Sequence, residues 1–256
     1  MYMELAIFFI FGTIIGSFLN VVILRLGTGE SIVSGRSRCY ACGQDLRWYE
    51  LVPLLSFAIL RGRCRDCKSR ISWQYPAVEF LTGLIFAAVL YEWWLNTAGF
   101  TGGWFITTEL VFWAAFIALV VYDLRHKILP DRLSIIIAVT AFFFSMMSGK
   151  LTIDLWLAFA IAAFFSFLWV VSSGRWMGLG DAKLFFGVSL FLGWPLAMLA
   201  TLLSFWSGAL TGLALLVLQR NITMKTELPF APFIFLGALT ARFYGEQILA
   251  WYFTFI

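Results

Sequence analysis

Long apolar runs alternate with short polar stretches along the whole chain. A hydrocarbon core about 30 Å thick is crossed by about 20 helical residues, and lipid offers no partner for backbone polar groups. Eight candidate spans meet that measure: residues 4 to 24, 76 to 95, 104 to 122, 132 to 148, 152 to 172, 182 to 198, 199 to 218 and 231 to 255. Between the sixth and seventh, Gly193-Trp194-Pro195 reads either as an interfacial turn or as a kink. Eight spans would put both termini on one side of the membrane. The first span has no basic stretch before it and no small-residue cleavage site after it, so it is expected to persist as a helix. Its Ser17 and Asn20 are expected to face other helices.

Composition sharpens this into a class. The chain is 62% hydrophobic and 12% charged, with 28 Phe and 12 Trp, which excludes a soluble domain folded around one core. The expected fold is an all-α polytopic membrane protein with one inserted soluble module. It divides into a first transmembrane helix (1-24), a cysteine-containing module (25-75) and a helical bundle (76-256).

Charge orients the chain. The segment from Arg25 to Arg70 holds nine of the 18 Lys and Arg, and later connections on the same side add Arg125, Lys127, Arg132, Arg175, Lys183, Arg220 and Lys225. The opposite connections carry only Lys150, so the basic side is expected to be cytoplasmic and both termini outside. The net charge of +4 therefore reads as topology and affinity for anionic lipid. Nucleic-acid binding is not expected, because aromatic and basic residues do not interleave as a strand-binding groove requires.

All four cysteines fall in the module, as Cys39-Tyr-Ala-Cys42 and Cys64-Arg-Asp-Cys67, with 21 residues between the pairs. Tetrahedral zinc takes four thiolates, and a CxxC turn presents two sulfurs to one metal, so this is zinc-ribbon spacing. Gly43 supplies the permissive backbone such a knuckle uses, and arginines at 36, 38, 61, 63 and 65 favour the thiolate. With no large apolar core of its own, the module would owe much of its fold to the metal. Two disulfides are the alternative, disfavoured in a reducing cytoplasm.

Two aspartates end or begin otherwise apolar segments: Asp123 closes the third span and Asp181 opens the sixth, after Gly178-Leu179-Gly180. A carboxylate at the bilayer centre costs roughly 2.5 to 3.5 kcal/mol, so acids near membrane depth are few and usually functional. Two carboxylates sharing a site cannot both ionise, which leaves one base to activate water and one acid to protonate a scissile amide. The glycines would permit a tight turn and close approach by another chain. The competing reading is an ion pair, with Arg125 or Lys183 as partner. Asp131, after Leu129-Pro130, is expected to cap the fourth span, Glu79 is either a polar contact or part of a cofactor site, and His126 is expected in a loop. A single histidine removes support from Ser/His/Asp and His-rich metal mechanisms.

These segments together resemble one family over nearly the whole length: the type IV prepilin peptidases, bifunctional leader peptidases and N-methyltransferases. The matching stretches are Gly16-Ser-Phe-Leu-Asn-Val-Val22, Cys39 through Cys67 with Trp48-Tyr49, Pro53-Leu-Leu-Ser56 and Arg61-Gly-Arg-Cys64 between, Ile71-Ser72, Tyr75-Pro-Ala-Val-Glu79, Asp123 through Asp131, and Gly178-Leu-Gly-Asp181-Ala-Lys183. The resemblance implies a bacterial cytoplasmic-membrane aspartic protease of the GxGD type, with Asp123 and Asp181 catalytic and Gly178, Gly180 and Lys183 in the active-site loop. It implies prepilins or pseudopilins as substrates, cut after a glycine beyond a short basic leader, and methylation of the new N-terminus by S-adenosylmethionine. The methyltransferase activity is associated with the family's N-terminal cytoplasmic region, which this chain retains. No Gly-rich dinucleotide fingerprint marks the donor site, and Glu79 is the one residue offered for it. Arg25-Leu26-Gly27 departs from the proline that many members carry after Arg-Leu. Rival classes are a general intramembrane aspartyl protease, which needs no cysteine module, and a membrane adaptor or transporter, which needs no aspartate pair.

Overall fold

The computed structural model describes residues 2–96, 103–218 and 228–254. The helices are α1 (Tyr2–Arg25), α2 (Leu55–Ile59), α3 (Gln74–Asn96), α4 (Gly103–His126), α5 (Asp131–Ser148), α6 (Leu151–Ser172), α7 (Leu179–Leu192), α8 (Leu196–Leu218) and α9 (Ala231–Thr254), with a 3₁₀ turn at Trp48–Leu51. Among the described residues the extended pairing is limited to two isolated bridges, Arg38 with Asp45 and Arg63 with Arg70. Six helices, α1, α3, α4, α5, α6 and α8, are each long and apolar enough to cross a membrane, which makes the chain a multi-pass membrane protein. The chain forms two compact units, Met1–Ala118 and Leu119–Ile256.

In the first unit α1 packs along α3. Lipid tails are as apolar as leucine, so helices in a membrane associate through close van der Waals contact and small residues. Gly12 and Gly16, one turn apart in α1, supply it: a Cβ on Gly12 would lie 2.8 Å from the Gly83 Cα, and one on Gly16 would lie 2.7 Å from the Glu79 Cα. Buried Asn20 faces α3, donating through Nδ2 to the carbonyls of Gly16 and Tyr75 at 3.2 and 3.3 Å and accepting from Gln74 Nε2 at 3.3 Å.

In the second unit α7 is central, touching α5, α6, α8 and α9. The rings of Phe165, Phe185 and Phe205 stack across α6, α7 and α8, with centroids 4.4 Å apart for the first pair and 5.5 Å for Phe165 and Phe205. Gly187 admits α5, since a Cβ there would meet Ile137 Cγ2 at 2.8 Å. The 14 residues of α7 rise about 21 Å, less than a full hydrocarbon core. Gly193, at φ 65°, ends α7, so Gly193-Trp194-Pro195 is a turn between two helices and not a kink within one.

His126 is not a loop residue. It ends α4, with its ring 4.2 Å from that of Tyr122 and Nδ1 3.2 Å from the Tyr122 carbonyl oxygen, because one more turn of helix lets the imidazole cover an aromatic face.

Gly16→Ala places a carbon where α3 backbone already lies. Overpacking of this kind typically costs about 1–3 kcal/mol. The variant should show a lowered Tm in detergent; an unchanged Tm would mean that α1 and α3 are not held together at this contact.

Candidate active site and cysteine centre

Asp123 lies in the last turn of α4 and Asp181 in the first turn of α7, both buried and both in the second unit. They are within electrostatic reach of each other. Asp123 Oδ2 accepts the N–H of Ala231, the first residue of α9, at 3.2 Å. Asp181 Oδ2 accepts the N–H of Gly178 at 3.2 Å, reaching back three residues to the amide before α7 begins. The first amides of a helix have no intrahelical acceptor, and the positive end of the helix dipole favours an anion there. Each acid is thus anchored to a helix start through one oxygen, and among the described residues its Oδ1 has no protein donor.

The ion-pair alternative goes elsewhere. Lys183 Nζ donates to Asp131 Oδ1 at 2.6 Å, joining α7 to α5. This also corrects the expected role of Asp131. Pro130 occupies the N-cap of α5 with no side-chain cap, and Asp131, one residue further, turns outward to the ammonium, a stronger partner than an amide.

The glycines of the Gly178-Leu179-Gly180 segment act differently from expectation. Gly178 has φ −76° and ψ 146°, an ordinary extended conformation, so no left-handed turn calls for glycine there. At Gly180 the close approach is made by the chain's own Leu129, whose Cβ would lie 3.0 Å from an added Cβ. Gly180 thereby lets the segment before α5 pack on the start of α7.

In the first unit the four cysteine sulfurs lie within 4.8 Å of one another, with Cys39 and Cys67 at 3.9 Å. Four sulfurs bound tetrahedrally at about 2.3 Å would sit roughly 3.8 Å apart, so the spacing fits a metal ion. The two knuckles repeat the same bonds. Cys39 N–H donates to the Gln44 carbonyl and Gly43 N–H to the Cys39 carbonyl; Cys64 N–H donates to the Ser69 carbonyl and Lys68 N–H to the Cys64 carbonyl. The residue after each second cysteine is left-handed, Gly43 at φ 75° and Lys68 at φ 60°. Burial raises the Cys39 thiol, but hydrogen bonds from the Cys42 and Ala41 amides and from Ser69 outweigh it and bring it down to about 6. Cys42 moves the other way: the Gln44 amide stabilises its thiolate, yet burial and the adjacent Cys39 and Cys67 sulfurs leave it pushed up to about 12. A cation among the sulfurs removes that mutual repulsion.

Glu79 is buried in α3, and its Oε2 accepts the N–H of Leu54 at 2.8 Å while Ser17 of α1 also hydrogen-bonds it. Leu54 has φ 59° and ψ −48°, and Leu55 N–H donates to the Pro53 carbonyl at 2.6 Å, a γ-turn of the rare, strained hand. Periodicity and composition give no sign of this turn; the only available hint was a proline preceding two leucines.

Two family models match the chain in succession. Residues 10–93 match the bacterial peptidase A24 N-terminal domain, and residues 110–213 match the type IV leader peptidase family. The chain is 36% identical over 259 residues to the prepilin leader peptidase/N-methyltransferase of Bacillus subtilis, covering 97% of both. It is 32% identical to the protein of that name in Aeromonas hydrophila, covering 96% of this chain and 92% of the relative. With the Pseudomonas aeruginosa protein of that name it shares 29% identity over 95% of this chain and 91% of the relative. No solved structure matches the chain.

Protons compete with a metal for thiolates. Metal retained by the purified, reduced protein at about pH 7.5 should therefore be lost progressively as the pH is lowered by dialysis. Cys39→Ser and Cys64→Ser should reduce the metal content at the higher pH. Equal metal content in both variants and the parent would exclude this centre as the binding site.

Proposed function

The chain belongs to the type IV leader peptidase family, and from that premise we propose that it removes the short basic leader of a prepilin or pseudopilin with Asp123 and Asp181 as the catalytic pair. What supports the reading is that both carboxyl groups are buried in one unit and within electrostatic reach of each other, each tied to a helix start and each with Oδ1 left for a water or substrate. One carboxylate, ionised, takes a proton as water adds to the scissile carbonyl carbon. The other, protonated, hydrogen-bonds the carbonyl oxygen and then supplies the proton that leaves with the amine as the C–N bond breaks. No covalent intermediate is required.

Both acids lie at the helix ends that the positive-inside pattern assigns to the cytoplasm. We read eight helices as crossing the membrane, α9 and the short α7 included, α7 spanning where the bilayer thins locally around it, with the cysteine module and the acids on the cytoplasmic side of a bacterial inner membrane and both termini outside. Arg220 and Lys225, counted in that pattern, lie outside the described residues. The division into a first helix, an inserted module (25-75) and a peptidase bundle (76-256) follows from the same reading.

The four-cysteine centre suits a structural zinc ion, held by Cys39, Cys42, Cys64 and Cys67 with no ligand position left open. The second reaction is methylation of the new N-terminal amine, the methyl group coming from S-adenosylmethionine. The retained N-terminal region supports that activity. Glu79 is a buried carboxylate beside the module, and its bonds to Leu54 and Ser17 favour holding the module in place over binding a donor.

Cleavage of a prepilin-like substrate in membranes tests the pair. Asp123→Asn and Asp181→Asn should each lower the rate by about 10²–10⁴-fold, the usual contribution of a positioned acid or base. Both should retain transfer of labelled methyl to an already mature substrate. Wild-type cleavage by either folded variant would overturn the assignment.

A further inference from the structure

The outward face of α2 is apolar. Phe57 turns inward, its ring 5.0 Å from that of Trp73 and close against Gly62. Leu55, Ala58 and Ile59, spaced three and four residues apart, share another face, and all three are exposed, Ile59 to 70% and Leu55 to 56%. Trp73, directly before α3, is also exposed.

Two bonds fix the level at which this face lies. The spanning part of α3, Gln74–Leu95, has 22 residues and rises about 33 Å, so its start stands at the edge of a hydrocarbon core about 30 Å thick. Leu54, the residue before α2, donates to Glu79, which is five residues into α3 and so about 7.5 Å below that edge. Glu79 also bonds Ser17 of α1. Asn20 of α1 is level with Gln74 and Tyr75, to which it is bonded, and Ser17 lies three residues, or about 4.5 Å, deeper. The start of α2 is thus held about one turn inside the two spans, and the contact of Phe57 with Trp73 brings the helix back up beside the start of α3.

We propose that α2 is an interfacial anchor for the cysteine module. Leu55, Ala58 and Ile59 lie against the acyl chains of the leaflet on the module's side, and Arg61 and Arg63, exposed just beyond α2, pair with anionic headgroups. The proposal rests on α1 and α3 crossing the membrane and not on the aspartate pair. Interfacial segments bury their apolar faces about 5–10 Å into the boundary between headgroups and chains, the level that Glu79 and Ser17 set. Tryptophan is enriched at that boundary, where Trp73 stands. The bridge between Arg63 and Arg70 gathers further positive charge where the chain leaves α2, and a negative leaflet attracts such residues. A soluble partner would have to clear lipid from around α3 before it reached the same side chains.

The test uses the full-length protein in phosphatidylcholine vesicles, with a fluorescent dansyl amino acid encoded in place of Ile59. A nitroxide attached high on the lipid chain should quench the label strongly, and iodide in the water weakly. The same label in place of Leu84, 46% exposed on α3, gives the response of a lipid-facing position. Including phosphatidylglycerol should raise nitroxide quenching at position 59 about twofold. Arg61→Glu combined with Arg63→Glu should abolish that rise without changing metal content. Quenching at position 59 by iodide and not by nitroxide would overturn the proposal. Protection from both quenchers would overturn it too, since protein would then cover the face. Equal quenching in neutral and anionic vesicles would strike the arginine contacts. A label at position 84 that escapes the nitroxide would mean that α3 does not span, a failure distinct from that of the anchor.

Discussion

A carboxylate that leaves water must find its hydrogen bonds in the protein, and in this chain that requirement organises the fold. Asp123 is met by the first amide of α9, Asp181 by the amide before α7, and Glu79 by the amide of Leu54 before α2. Asp154, buried in α6, accepts from Ser145 of α5 at 2.7 Å. Each bond satisfies a buried carboxyl oxygen, and those of Asp123, Glu79 and Asp154 also fix one element against another. Leaving such a group unpaired costs several kcal/mol, so the packing around each acid has little freedom to vary. Among the described residues, Ser189 Oγ is the buried side-chain polar atom without a partner.

Each unit solves a different problem with these means. In the first, a membrane helix pair must carry a module with little apolar core. Close packing at Gly12 and Gly16 holds α1 to α3, and Glu79 then grips the strained turn at Leu54 that leads into α2. Within the module, two knuckles of identical bonding bring four sulfurs together. In the second unit the short helix α7 sits amid its neighbours and carries Asp181 on its first turn, where backbone amides are still free.

Much of this was legible because the relevant signals are local. Apolar run length marked each membrane helix to within about four residues except α7, which ends at Leu192 and not at the expected 198 because Gly193 breaks the helix and Leu196 already begins α8, and the CxxC spacing with Gly43 announced the knuckle. Where local chemistry misled, a distant partner had intervened. Asp131 looked like a cap because acids at helix starts usually are, yet Lys183 arrives from another helix. Gly178-Leu179-Gly180 looked like a turn for an incoming peptide, and the space at Gly180 is filled by Leu129. Lys68 takes the left-handed position that Gly43 takes in the other knuckle, against its own preference, because the repeated sulfur geometry demands it. The Gly12-x-x-x-Gly16 spacing was readable and marks the α1–α3 contact. The bond from Ala231 to Asp123 spans 108 residues and leaves no local trace.

The two acids are anchored in ways that are not equivalent. The amide that holds Asp181 belongs to its own helix start, so the two move together and the bond survives any displacement of α7. The amide that holds Asp123 belongs to α9, at the far end of the chain, so its carboxyl orientation depends on where α9 begins. Two carboxyl groups acting together on one substrate, as proposed for these, would need both placed to within about half an ångström. Asp181 meets that demand locally, whereas Asp123 meets it only once the last helix has docked, which makes α9 a structural condition for the pair and not merely another span in the bundle.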